Sequence, residues 1–103
     1  VIGYAYIGVA PSKDNVYDYL VLFDKDLIIS KIKILTYREN YGGEIASKRW
    51  LKQFNGKSGK DKLQYEKDII AISGATISAN SLTNSINKLL NTIDTLQQKN
   101  VFK

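Results

Sequence analysis

The run Ser73-Gly74-Ala75-Thr76-Ile77-Ser78 joins a short apolar stretch to the start of a long amphipathic pattern. These residue types suit the capture of an anion. A helix N-terminus presents N–H groups without intrahelical partners and a partial positive charge, so a phosphate binds there readily. Gly74 and Ala75 let a ligand approach the backbone closely, while Ser73, Thr76 and Ser78 add hydroxyl donors. The alternative reading is purely structural: Thr76 or Ser78 caps the helix and no ligand is involved.

Other chemistries are closed off by what the chain lacks. Its 103 residues include no Cys, no His and no Met. That excludes a thiol nucleophile, a Ser-His-Asp triad, Cys/His ligation of zinc or iron–sulfur clusters, and haem held by His or Met. Gly56-Lys57-Ser58 ends like a nucleotide-binding P-loop, but Leu51 stands where the first glycine is required, and the helical pattern precedes the run instead of following it. Gly3 and Gly8 lack the dinucleotide-binding spacing. Asp24 and Asp26 are explained by a turn, and Glu39 and Glu44 flank Gly42-Gly43 without an evident partner.

Charge is unevenly placed. The chain carries +5 in total; residues 1–47 sum to −1, residues 48–67 to +5 and residues 68–103 to +1. Lys48, Arg49, Lys52, Lys57, Lys60, Lys62 and Lys67 are either a solvated surface or a landing site for a phosphate, a nucleic acid or a lipid headgroup. Nucleic acid is disfavoured, because the aromatics lie within strand patterns and no known nucleic-acid module accompanies the basic residues.

The elements that must position the 73–78 run are those of one domain with one core, as the length implies. Residues 1–10, 16–23 and 27–36 read as strands, broken by Pro11-Ser12-Lys13-Asp14-Asn15 and by an Asp24-Lys25-Asp26 hairpin turn. In the third, Ile28, Ser30, Ile32 and Ile34 are predicted on one face and Ile29, Lys31, Lys33 and Leu35 on the other. Residues 44–54 are predicted to form a helix with Ser47, Trp50, Leu51 and Phe54 on one face, stopped by Asn55-Gly56. Residues 57–62 form a polar loop, and Ile69 to Ile72 fits a buried strand. Leu82, Ile86, Leu89, Leu90, Ile93 and Leu96 then form one helical stripe. The fold class is therefore α+β: an antiparallel sheet with a short helix and a long C-terminal amphipathic helix packed on it. No apolar run is long enough to span a bilayer. Because the chain starts at Val1 inside a strand-like run, the expectation is a fragment lacking an N-terminal signal or anchor, with membrane association through that anchor or a partner.

The Ser73-Gly74-Ala75-Thr76-Ile77-Ser78 run entering an amphipathic helix resembles the Ser-Gly-Ala-Thr motif of the FMN-binding domain. That domain is found in periplasmic subunits of ion-pumping NADH:quinone and ferredoxin:NAD oxidoreductases and in related secreted flavoproteins. Tyr37-Arg38-Glu39-Asn40-Tyr41-Gly42-Gly43-Glu44-Ile45 resembles the family's Glu-plus-Gly loop, Trp50-Leu51-Lys52-Gln53-Phe54-Asn55-Gly56-Lys57 the segment after it, and Gly3-Tyr4-Ala5-Tyr6 its opening strand. The four blocks run in order over nearly the whole chain.

The resemblance implies FMN as cofactor, its phosphate held by Ser73, Gly74, Ala75, Thr76 and Ser78, and a flavin transferase that attaches it to Thr76. It also implies that Glu39, Tyr41, Gly42, Gly43 and Trp50 enclose the flavin ring, with Tyr37 a further candidate for its face and Trp50 equally well a core anchor. Ile70 stands where covalently flavinylated members carry Asp, and the nearest acid is Asp68; reversible binding with Thr76 as a donor is the alternative. The implied role is to carry electrons between redox partners in an extracytoplasmic compartment, not to act as a stand-alone catalyst. A flavin-free module docking on anionic partners through residues 48–67 is the competing function. In a third, the chain is accessory to a larger redox enzyme.

Overall fold

The computed structural model describes residues 2–39 and 43–100. Three strands, β1 (Gly3–Pro11), β2 (Val16–Asp24) and β3 (Ile29–Thr36), form an antiparallel sheet in sequence order. The β1–β2 register runs from Gly3 opposite Asp24 to Pro11 opposite Val16, closed by a turn in which the Ser12 N–H donates to the Asn15 carbonyl at 2.9 Å. At the second hairpin the Asp24 carboxylate accepts from the N–H groups of Asp26 and Ile28. This is the local bonding that makes Asp a turn residue, and it holds Leu27 at φ 62°.

β3 departs from the predicted alternation. Lys31 pairs with Leu22 but Ile29 pairs with Phe23, so Ser30 is an extra residue; a second irregularity leaves Leu35 between Ile34 and Thr36. A bulge shifts the two-residue period by one. Ile29, Ile32 and Ile34 therefore all turn to the core, and Ile28 is left 36% exposed.

The single short helix predicted over residues 44–54 is broken into three pieces. Gly43–Ala46 is a single 3₁₀ turn, the helix α1 covers only Lys48–Leu51, and Lys52–Phe54 returns to 3₁₀. Ser47 is the cause: its backbone leaves the helical region (φ −59°, ψ 119°) and its Oγ accepts from the Trp50 N–H, so it caps α1 and ends what precedes it. The apolar face survives, with Trp50, Leu51 and Phe54 all buried.

Ile69 to Ile72 is likewise not a buried strand. It makes one isolated bridge, Ile69 to Tyr65, and Ile70 is 75% exposed. Side chains substitute for the missing sheet neighbour. The Ile70 N–H donates to Gln53 Oε1 and the Ile70 carbonyl accepts from Trp50 Nε1, both at 2.6 Å.

The helix α2 (Thr76–Gln98) lies across one face of the sheet. Its Leu82, Ile86, Leu90 and Ile93 meet Tyr17, Tyr19, Val21 and Phe23 of β2 in a single core. Each of the aliphatic side chains contributes on the order of 1.5–3 kcal/mol by leaving water. Small residues at the start, Ser78 and Ala79, bring this end of α2 close to the sheet: the buried Tyr17 hydroxyl donates to the Ser78 carbonyl at 2.6 Å, and Ser81 Oγ donates to the Pro11 carbonyl. The strand and helix layers are thus fastened together where residues 73–78 enter α2. No helix among the described residues is long and apolar enough to cross a membrane.

Candidate site at the start of the long helix

Neither Thr76 nor Ser78 caps α2. The N-cap position is Ala75, at φ −142° and ψ 33°, and it has no side chain that can bond the first turn. The first intrahelical bond runs from the Ala79 N–H to the Ala75 carbonyl. The N–H groups of the first turn therefore have no side-chain cap, an arrangement that favours a bound anion.

Gly74 makes the entry with φ +83°, a conformation that costs an L-residue roughly 1–2 kcal/mol. A Cβ there would also lie 2.9 Å from a carboxylate oxygen of Glu44. Glycine is thus required by the backbone, whereas the exposed Glu44 carboxylate, at the end of a flexible side chain, can swing aside.

A cleft of about 250 Å³ opens at this point, lined by Lys13, Tyr37 and residues Gly74, Ala75, Thr76, Ile77 and Ser78. Thr76 is exposed, so its hydroxyl is accessible. Ser78 is buried, and its Oγ is hydrogen-bonded with the Tyr37 hydroxyl at 2.8 Å. Tyr37 packs in turn on Tyr17, with ring centroids 5.5 Å apart. The wall of the cleft is therefore built from three chain regions: the β1–β2 turn, the end of β3 and the start of α2. Lys13 was not evident as a site residue in the sequence, since it lies 61 positions before Gly74 and the pairing of β1 with β2 brings its turn to the helix.

The remaining site expectations fall in different places. Ser73 is exposed and is not part of the cleft wall. Glu39 Oε1 accepts from the Asp14 N–H at 3.2 Å, which ties the chain after β3 to the turn that carries Lys13. Gly43 opens the 3₁₀ turn beside Gly74, and a Cβ on it would meet nothing within 4 Å. Tyr41 and Gly42 lie outside the described residues.

Trp50 is buried against Phe54 in an edge-on contact, centroids 5.5 Å apart. It also lines a second cleft of about 360 Å³ with Ser47, Arg49, Gln53, Ile70 and Ile72. It is thus a core anchor and a cleft wall at once. Asp68 is engaged in its own turn, its carboxylate accepting from the Gln64 N–H.

Chemically, the first cleft supplies what a phosphate monoester needs: uncapped N–H groups, an ammonium group, and hydroxyls on Thr76 and Tyr37. It is smaller than the ~300–1,000 Å³ that encloses a whole small molecule, so a larger ligand must extend beyond it. No curated protein matches the sequence. The model of the FMN-binding domain matches residues 14–91, a span that runs from the turn beside Lys13 through β2, β3, the site and most of α2. The chain belongs to the FMN-binding domain family, and FMN is its cofactor.

Proposed function

We propose that this domain is an electron-transfer flavoprotein module, holding FMN by its phosphate at the start of α2 and passing electrons between partner proteins or domains. The observation that carries the reading is the uncapped N-terminus of α2, entered through a left-handed glycine and faced by Lys13 and Tyr37. The residues fit the group: the N–H groups of the first turn and the Lys13 ammonium neutralise the phosphate, and Thr76 and Tyr37 offer hydroxyls. Bound FMN supplies one- and two-electron redox chemistry, which the side chains of this protein cannot supply themselves. The protein's part is to hold the phosphate, to orient the flavin and to limit water around it.

The ring would extend beyond the 250 Å³ cleft, with Glu39, Gly43 and Trp50 as candidate neighbours. Thr76 is exposed at the first helical position, where its hydroxyl would be open to a flavin transferase. An extracytoplasmic location and a membrane-associated redox partner belong to the same reading.

The test is a visible absorption spectrum of protein produced with and without a flavin transferase, recorded before and after acid precipitation. Flavin bands that stay with the pellet establish covalent FMN. Flavin released to the supernatant establishes a reversible site. A colourless protein that does not take up added FMN refutes the proposal.

A further inference from the structure

The basic residues at the start of the 48–67 segment are divided between two concavities. Lys48 and Lys52, one helical turn apart, join Lys31 of β3 around a pocket of about 270 Å³ whose remaining walls are Ser30, Ile32, Leu51 and Asn55. Arg49 points to the Trp50 cleft instead. None of the pocket residues is shared with the cleft at the start of α2.

Three lysines that line one concavity gather like charge there, and the repulsion is relieved when an anion joins them. No acidic residue lines the pocket, and none of the three lysines has an ion-pair partner among the described residues. Ser30 is the extra residue of the β3 bulge, the irregularity that offsets Lys31 from Ile29 at this edge of the sheet. Ser30 and Asn55 add neutral donors, while the buried side chains of Ile32 and Leu51 form an apolar floor that keeps water from one side and strengthens charge-assisted bonds. Lysine engages phosphate as a compact point charge, and a concave pocket of this size selects a compact anion over a flat peptide surface.

We infer that this pocket, between β3 and the segment of Lys48 and Lys52, is a second anion site that takes a phosphate-bearing ligand of two or more negative charges. The inference is independent of how FMN is held. The ligand is either a soluble diphosphate group or an anionic lipid headgroup, and the two sources separate in one set of measurements.

Sodium pyrophosphate is titrated into isotope-labelled protein at low ionic strength, with and without FMN bound, and followed by backbone amide shifts. Saturable shifts are expected at Ser30, Lys31, Lys52 and Asn55 in both states. Because exposed charge pairs are individually weak, the double variant Lys48→Ala/Lys52→Ala is expected to weaken binding about tenfold and Lys62→Ala less than about twofold. Both variants change exposed residues only, and a rise in Tm with pyrophosphate seen in the parent and lost in the double variant is a second readout.

Co-sedimentation with phosphatidylcholine vesicles containing phosphatidylglycerol, reversed by pyrophosphate and lost in the double variant, assigns a lipid source. Pyrophosphate binding without vesicle binding assigns a soluble one. Absence of saturable shifts at the four residues, shifts confined to residues 74–78, or equal weakening by Lys62→Ala overturns the inference.

Discussion

Gly74 and Thr76 sit two residues apart, yet their substitutions separate structure from binding. Thr76 is exposed and caps nothing, so Thr76→Val is expected to leave the unfolding midpoint within the ±0.5 kcal/mol usual for a surface change while flavin content falls severely. Flavin absorbance per protein equal to the parent's would show that the phosphate lies elsewhere. Gly74→Ala, in contrast, places a Cβ at φ +83° against Glu44, and about 1–2 kcal/mol of stability is lost by denaturant titration. Tyr37→Phe removes the partner of the buried Ser78 hydroxyl, a loss of about 1–3 kcal/mol. Among the residues, the 73–78 run was readable because its chemistry is local: small residues and hydroxyls at a helix start. Lys13 and Glu44 were not, because nothing within a few residues of either states what the fold lays against it.

At the scale of elements, strong periodic patterns were legible and interrupted ones were not. The stripe Leu82, Ile86, Leu90 and Ile93 specified α2 because an unbroken 3.6-residue period has one structural solution. The sequence reading of residues 44–54 as one helix failed at Ser47, whose side chain competes for the backbone and restarts the helix. In β3 the bulge at Ser30 reversed the inward face, and a bulge leaves no mark in the composition of a strand. Ile69 to Ile72 was read as a strand on its apolarity, yet Trp50 and Gln53 satisfy its backbone from the side. Two measurements bear on this. Ser47→Ala is expected to cost about 1 kcal/mol through the lost cap, and Trp50→Phe to leave the Ile70 carbonyl without its indole donor. Faster amide exchange at Ile70 in Trp50→Phe, with little change in the α2 amides, is the expected signature; unchanged exchange would mean that the clamp does not hold this segment in solution.

The molecule as a whole is two layers fastened beneath the site by tyrosines, and this gives it a pH dependence of definite sign. Tyr17 and Tyr19 project from β2 into the core under α2, with only 0% and 2% of their surfaces exposed. Burial disfavours the phenolate, so the Tyr19 hydroxyl is pushed up from 10 to about 12, and that of Tyr17 higher still, the neighbouring Tyr37 and Tyr19 adding to the effect. Both groups have folded-state values above their unfolded ones. Between the two values the native state therefore binds more protons than the unfolded state, and stability falls as pH rises. Their contribution is complete below about pH 10 and declines steadily through pH 12. Because the Tyr17 hydroxyl donates to the Ser78 carbonyl at the start of α2, flavin held reversibly should be released along the same alkaline curve, not at lower pH. Tyr17→Phe removes one of the two groups, so its stability should vary less steeply over this window even though its neutral-pH stability is lower by about 1 kcal/mol. Denaturant midpoints measured from neutral pH to 12 check this. A parent protein whose stability is level across the window, or a Tyr17→Phe variant with an undiminished slope, would mean that the core tyrosines do not stay protonated and that α2 is not held to the sheet through them.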